Sequence, residues 1–299
     1  PLWGVRDVRP QLDRAAKGGT LEPTELLGCA NVLHAMVRVA DFLDARKSKM
    51  PKAWSVAERI ADRAKLATRI DRSFEPDGQI SDRASPELHE LRERSRGLHR
   101  GIKAKLDQML HDEEFTRLLR ENYFTIRNER YVVPVLSSAR SQVPGIVHNA
   151  SQSGQTLFVE PQPLITLGNE LAIAQSMVAE EERRILHELT QELGRHAAEL
   201  DDSLDACTEL DATESAAKLS LDLAAETPEI VPAEVSFRLQ ALRHPLLTLQ
   251  GKKVVANDVL FDAGERVLVV SGPNAGGKTV TLSGVGLCAL MLRAGLPVP

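Results

Sequence analysis

Gly272, Gly277, Lys278 and Thr279 stand at the spacing G-x-x-x-x-G-K-[ST] inside the run VLVVSGPNAGGKTVTL, residues 267–282. A loop of this composition aims successive backbone N–H groups at one point beside a helix N-terminus, where a phosphate chain can sit. On that reading the Lys278 ammonium reaches the β- and γ-phosphates and the Thr279 hydroxyl ligates Mg²⁺. Pro273, Asn274, Ala275 and Gly276 complete the cradle, with Asn274 closing it. The alternative is a Gly-rich turn that binds nothing. At ordinary glycine usage a chance match is on the order of one in a hundred for a chain this long. The flanking pattern makes chance a weaker account still. ATP with Mg²⁺ is the cofactor the spacing implies.

The loop needs a strand before it and a helix after it. Val267–Val270 has the apolar, β-branched character of a buried strand, and a helical pattern begins near Lys278. A phosphate-loop ATPase also needs an acidic strand for Mg²⁺ and for the attacking water. Only GLPVP follows the helix, and the chain opens on Pro1. The expectation is a piece of a longer protein, ending in a truncated α/β ATPase start that hydrolyses ATP negligibly.

The rest of the chain reads as long helices around a short β-rich stretch. Pro23 can open a helix to about residue 46, and a second is expected from Pro51 to Ser73, followed by a turn at Pro76–Gly78. Ser85-Pro86-Glu87 is a strong helix start. Leu88, Leu91, Leu98, Ile102, Leu106 and Met109 then hold a helical spacing to about Leu119, a rod of roughly 50 Å. At Tyr123 the period changes. FTIRNERYVVPVLSS, GIVHNAS and QTLFVEP read as short antiparallel strands, with Tyr123, Tyr131 and Phe158 in their core. From Leu167 a helical period resumes to Leu204 and beyond, towards Ala225. VSFRLQAL, KVVANDVLF and RVLVVS follow as strand-like pieces. The fold class expected is mostly α with a small β-rich tip on long antiparallel helices, plus the α/β start.

Composition excludes little. The net charge of −5 gives no global nucleic-acid signal, but its distribution is uneven. Residues 38–72 carry ten Lys/Arg against five Asp/Glu, and residues 166–226 carry four against fifteen. Cys29, Cys207 and Cys288 lack metal-type spacing and read as reduced, buried thiols of a cytoplasmic protein. No apolar run is read as long enough to span a bilayer, so no membrane partner is expected. His99, His187 and His196 lie on helices without partners at ligand spacing.

Arg243-His244-Pro245, Asn257-Asp258 and SGPNAGGKT follow the long helix, β tip, long helix order. Together with YVVPV and PGIVHNASQSGQTLFVEP they make the chain resemble the MutS family of DNA-repair ATPases, and within it a second bacterial subgroup. The resemblance covers essentially the whole chain. It implies a helical core and first lever at 1–122, a β-rich clamp at 123–165, a second lever and core at 166–227, and the N-terminal part of a phosphate-loop ATPase domain at 228–299. It implies that Val254 and Val255 pack on adenine, although they could equally be core strand residues. His244 reads as structural, since His-Pro often marks a turn.

The implied partners are double-stranded or branched DNA, with a homodimer in the full-length protein. The implied roles are suppression of homologous recombination, DNA repair and, through an absent C-terminal domain, endonuclease activity at the nucleoid. A ribosome-directed, RNA-binding ATPase is the second reading. Cationic groups on the tip, Arg127, Arg130, Arg140 and His148, are the candidate DNA contacts, able to meet phosphates without reading sequence. Arg92, Arg94, Arg96, Arg100, Lys103 and Lys105 on the first lever could border a duplex.

Overall fold

The computed structural model describes residues 2–232, 237–265, 267–271 and 277–299. The fold is mostly helical with a small antiparallel sheet. It divides into two units, Pro1–Phe42 with Ile60–Ser203, and Leu43–Arg59 with Leu204–Pro299.

The first unit is organised by two helices. Helix α5 (Pro86–Leu110) starts where the sequence signals it. Ser85 is extended, and its hydroxyl accepts the Leu88 N–H at 3.0 Å, satisfying one of the donors a helix start leaves open. The expected run to Leu119 is not made. His111 Nδ1 lies 2.6 Å from the Asp107 carbonyl, and Asp112 accepts the Glu114 N–H to start the four-residue α6 (Glu113–Thr116). A side chain that competes for backbone donors ends one helix and opens another. The helix expected from Pro51 to Ser73 divides for the same reason. It becomes α3 (Pro51–Ala57), in the second unit, and α4 (Ala64–Arg72), with the Asp62 carboxylate accepting the Ala64 N–H at 2.9 Å.

Helix α7 (Gln162–Arg195) spans 34 residues, about 50 Å at 1.5 Å per residue. Its first half runs antiparallel to α5. The start of α5 meets its middle through Ser85 and Glu181, and His99, further along α5, reaches back to Gln175. Its second half packs on α1 (Arg9–Ala16) at Gly194, where an added Cβ would lie 2.6 Å from the Ala15 carbonyl oxygen. Only a residue without a side chain permits that approach. After a break at His196, α8 (Ala197–Leu223) continues the helical path.

Between α5 and α7 lie β1 (Thr125–Arg127), β2 (Arg130–Leu136), β3 (Gly145–Ala150) and β4 (Thr156–Pro161), in the order β1-β2-β4-β3 and antiparallel throughout. FTIRNERYVVPVLSS folds into a hairpin. Asn128 and Glu129 both take positive φ, 48° and 61°, as a two-residue turn between twisted strands requires. A bulge interrupts the β3–β4 register at His148. Val133, Val135 and Val159 pack with Ile102 and Leu106 of α5 and Leu164 and Leu171 of α7 in one core. Tyr131 belongs to that core and Phe158 is half-buried, whereas Tyr123 precedes the sheet and is exposed.

Helix α2 (Pro23–Asp44) was expected nearly as found. It corrects one expectation, because it is long and apolar enough to cross a membrane by length and composition. Leu26, Cys29, Ala30, Val32, Leu33, Met36 and Val39 are nevertheless buried, as in a core helix.

In the second unit β5 (Phe237–Leu242) pairs antiparallel with β6 (Asn257–Phe261). They flank α9 (Pro245–Leu249) in sequence, and α10 (Lys278–Arg293) follows. Leu242, Val259 and Cys288 form a small core. Val267–Val270 was expected as a buried strand and is not one. It takes no regular structure, and Val267 and Val269 are 79 and 82% exposed. A strand is buried by the strands it pairs with and the elements that cover its faces, and among the described residues no strand pairs with this run.

Candidate functional site

Helix α10 starts at Lys278, as the phosphate-loop spacing requires. Gly277 precedes it at φ 77°, a left-handed conformation natural to glycine. The Thr281 N–H donates to the Gly277 carbonyl at 2.9 Å, the first bond of the helix ladder among the described residues. No side chain among them caps the helix start. Thr279 is exposed and Lys278 half-buried. Gly272, Pro273, Asn274, Ala275 and Gly276 lie outside the described residues. Val254 is half-buried and Val255 is 75% exposed, neither in a strand, so they are not the core strand pair the alternative reading required.

His244 takes a structural position. It is the N-cap of α9, its Nδ1 accepting the Leu247 N–H at 3.4 Å, while its Nε2 lies 3.0 Å from Ser283 Oγ on α10.

The four cationic groups of the sheet are placed very differently. Arg127 is exposed on β1, its guanidinium 5.0 Å from the centroid of Phe158. Arg130 and His148 converge on Glu160, a carboxylate only 2% exposed. Arg130 Nη1 lies 3.4 Å from Oε1, and His148 Nε2 lies 2.7 Å from Oε2. Gly168 of α7 lies against the same group, since a Cβ there would meet Glu160 Oε1 at 2.7 Å. Arg140 donates to the carbonyls of Val143 and Gly145 at 2.7 and 2.8 Å, tying the turn between β2 and β3. Three of the four thus brace the sheet, and Arg127 alone of them presents an exposed guanidinium.

The lever cations divide similarly. Arg92 donates to Asp82, Glu182 and the Ile80 carbonyl, and Arg96 to Asp82 and Glu93. The Arg92 hydrogen bond, helped by Arg96, holds the Asp82 carboxyl below its ordinary value. Arg94, Arg100, Lys103 and Lys105 are exposed. The uneven charge along the chain resolves into ion pairs. Arg69 meets Glu188 and Glu192 and Arg63 meets Glu199 in the first unit, and Arg59 meets Glu209 in the second. Glu160, Glu181 and Ser283 were not legible as important residues. The available signal was a carboxylate in an otherwise apolar pattern, at the end of FVEP and on the inner face of α7, which has to be paired if it is buried.

No metal-ligand cluster of His, Cys, Asp and Glu occurs among the described residues. His99 is engaged by the Tyr131 hydroxyl, His187 by Gln191 and His196 by Glu199. All three cysteines are free and buried, and burial pushes the Cys29 and Cys207 thiols up to about 11.

No protein-family model matches the chain. Curated relatives do, along its whole length. It is 55% identical to a protein named Endonuclease MutS2 from Anaeromyxobacter sp. (strain Fw109-5), over 100% of this chain and 38% of that protein. It is 38% identical to the Endonuclease MutS2 of Pelotomaculum thermopropionicum and 37% to that of Symbiobacterium thermophilum, covering 99 and 100% of this chain and 37% of each relative. These relatives, rather than the mostly helical fold and its small sheet, define the class as MutS-type. Within that class it belongs to the MutS2 family, spanning somewhat over a third of the length of the relatives it matches.

Proposed function

We propose that this chain is the DNA-binding and nucleotide-responsive core of a MutS-type ATPase. The observation that carries the reading is the antiparallel packing of α5 and α7 with a four-stranded sheet at the end where they join. On this reading the helices are levers and the sheet is a clamp that closes on double-stranded or branched DNA. The chain passes from α7 through α8 and then through β5, α9 and β6 towards the phosphate-loop sequence, so nucleotide state is linked along the chain to the clamp.

The residues present fit ATP with Mg²⁺. The positive end of the α10 dipole suits a phosphate, Lys278 supplies its cation and Thr279 its metal-ligating hydroxyl. By their place in the sequence motif Gly272, Pro273, Asn274, Ala275 and Gly276 are assigned to the phosphate, and Val254 and Val255 to adenine. The bound metal offsets phosphate charge. The whole protein acts at the nucleoid as a homodimer, binding recombination intermediates, suppressing homologous recombination and assisting repair. The relatives' name suggests nuclease activity in the longer protein.

Direct phosphate contact falls to Arg127, whereas Arg130, Arg140 and His148 shape the surface that presents it. The test is affinity for single-stranded, duplex and four-way DNA at two salt concentrations. Salt should weaken binding, and Arg127→Ala should reduce the log–log salt slope by about 1. Lys278→Ala should weaken ATP binding roughly 10- to 100-fold while leaving DNA affinity in place. Absence of any DNA shift, with sedimentation on ribosomes at physiological salt, would replace this reading with the RNA-directed one.

A further inference from the structure

His244 uses both ends of its ring. Leu247 N–H can only donate, so Nδ1 accepts, and in the neutral imidazole the hydrogen resides on Nε2. Nε2–H then donates to Ser283 Oγ, 3.0 Å away on α10. A carbonyl can only accept, so the Ser283 hydroxyl gives its one hydrogen back along the helix, to the Thr279 carbonyl at 2.8 Å or the Val280 carbonyl at 3.1 Å, and accepts from His244 on a lone pair. Gly284 of α10 faces this segment. A Cβ at that position would lie 3.6 Å from Leu242 and 3.8 Å from the His244 backbone, in ordinary van der Waals contact.

A turn histidine would need only the cap. The second bond crosses 39 residues of chain to the helix that opens at Lys278. Its terminus is the backbone of Thr279, the residue whose hydroxyl stands exposed at the first turn. We infer that His244 and Ser283 form a hydrogen-bonded relay that sets the orientation of Thr279, and that His244 is thereby a positioning residue for magnesium-bound nucleotide. The inference rests on the phosphate-loop reading and adds to it a residue outside the loop. His244 touches neither phosphate nor metal. It acts by holding the first turn of α10 against the segment that carries α9.

The two bonds can be separated. His244→Asn keeps a side-chain oxygen able to cap α9 but is too short to reach Ser283. Ser283→Ala leaves the cap and removes the relay, and Ser283→Thr restores the hydroxyl. The 299-residue chain and these variants are titrated with ATP in Mg²⁺ and with ATP in EDTA, beside Lys278→Ala. Melting temperatures are recorded for each variant, so that a loss of affinity is separated from a loss of fold. His244→Asn and Ser283→Ala should each weaken binding about 3- to 10-fold in Mg²⁺ and less than about twofold in EDTA. The double variant should be no weaker than either single one, and Ser283→Thr should recover affinity. Equal losses with and without Mg²⁺, or unchanged binding in both variants, overturn the relay while Lys278→Ala still reports the loop. If the wild type binds no nucleotide in either condition, the loop reading falls and the relay falls with it.

Discussion

The chain contains two valine-rich runs of similar residues, and they end differently. In RYVVPVL of β2, every residue from Tyr131 to Val135 is buried. In VLVV, residues 267–270, none is buried. Their apolar content does not separate them, since each carries three valines and a leucine. Strand β2 finds β1 and β4 within about thirty residues of itself, and α5 and α7 flank the whole sheet in sequence. Val267–Val270 pairs with no strand among the described residues. Hydrophobic sequence supplies the driving force for burial, but the partners decide whether that force is realised.

That contrast can be broken by substitution. Leu106 of α5 is fully buried in the core beneath the sheet. Leu106→Ala should cost about 3 kcal/mol, seen as a lower urea midpoint at unchanged slope. A loss under about 1 kcal/mol would mean that the sheet and helices do not share a close-packed core. Glu160→Ala should come next, at about 2 kcal/mol, because it leaves Arg130 and His148 without the acceptor they share. Should that variant melt like the wild type, the convergence on Glu160 has no energetic content.

A third effect depends on pH. Hydrogen bonds from Arg184 first, and from Ser85, hold the Glu181 carboxyl below its ordinary value of 4.5. A carboxyl depressed by folding binds protons more readily in the unfolded chain, so it stabilises the fold above about pH 4.5. That contribution disappears as pH falls through the folded value. Glu181→Gln should flatten the acid limb of a stability–pH curve while leaving its neutral and basic parts parallel to the wild type. An unchanged acid limb would remove Glu181 from the account of how α5 and α7 are held together.

The parts of the fold legible in sequence were those fixed by neighbours. Ser85-Pro86-Glu87 marks the start of α5 because a cap, a preset φ and an acid act within one turn. Lys278 marks the start of α10 because Gly277 can adopt the left-handed turn before it. The helix breaks at Glu58–Arg63 and at His111 were missed. Asp62 and Asp112 compete for backbone donors there, and periodicity counts only apolar positions. Of the candidate contacts on the tip, charge was legible and engagement was not. Arg127 and Arg130 look alike in FTIRNERYVV, and only the strand pairing brings Glu160 to one and leaves the other over Phe158.

The smallest effect gives the sharpest test of the comparison. Val269 is among the most exposed apolar residues described, so removing its methyl groups uncovers almost nothing that water does not already reach. Val269→Ser in the 299-residue chain should change unfolding free energy by less than about 0.5 kcal/mol. The matched change on β2, Val133→Ser, removes a wholly buried side chain and leaves a hydroxyl in an apolar core. It should cost about 3 kcal/mol. The informative quantity is the ratio of the two, because residue type and substitution are the same in each. If Val269→Ser costs as much as Val133→Ser, residues 267–270 are buried by partners in solution, and the difference between the two regions disappears.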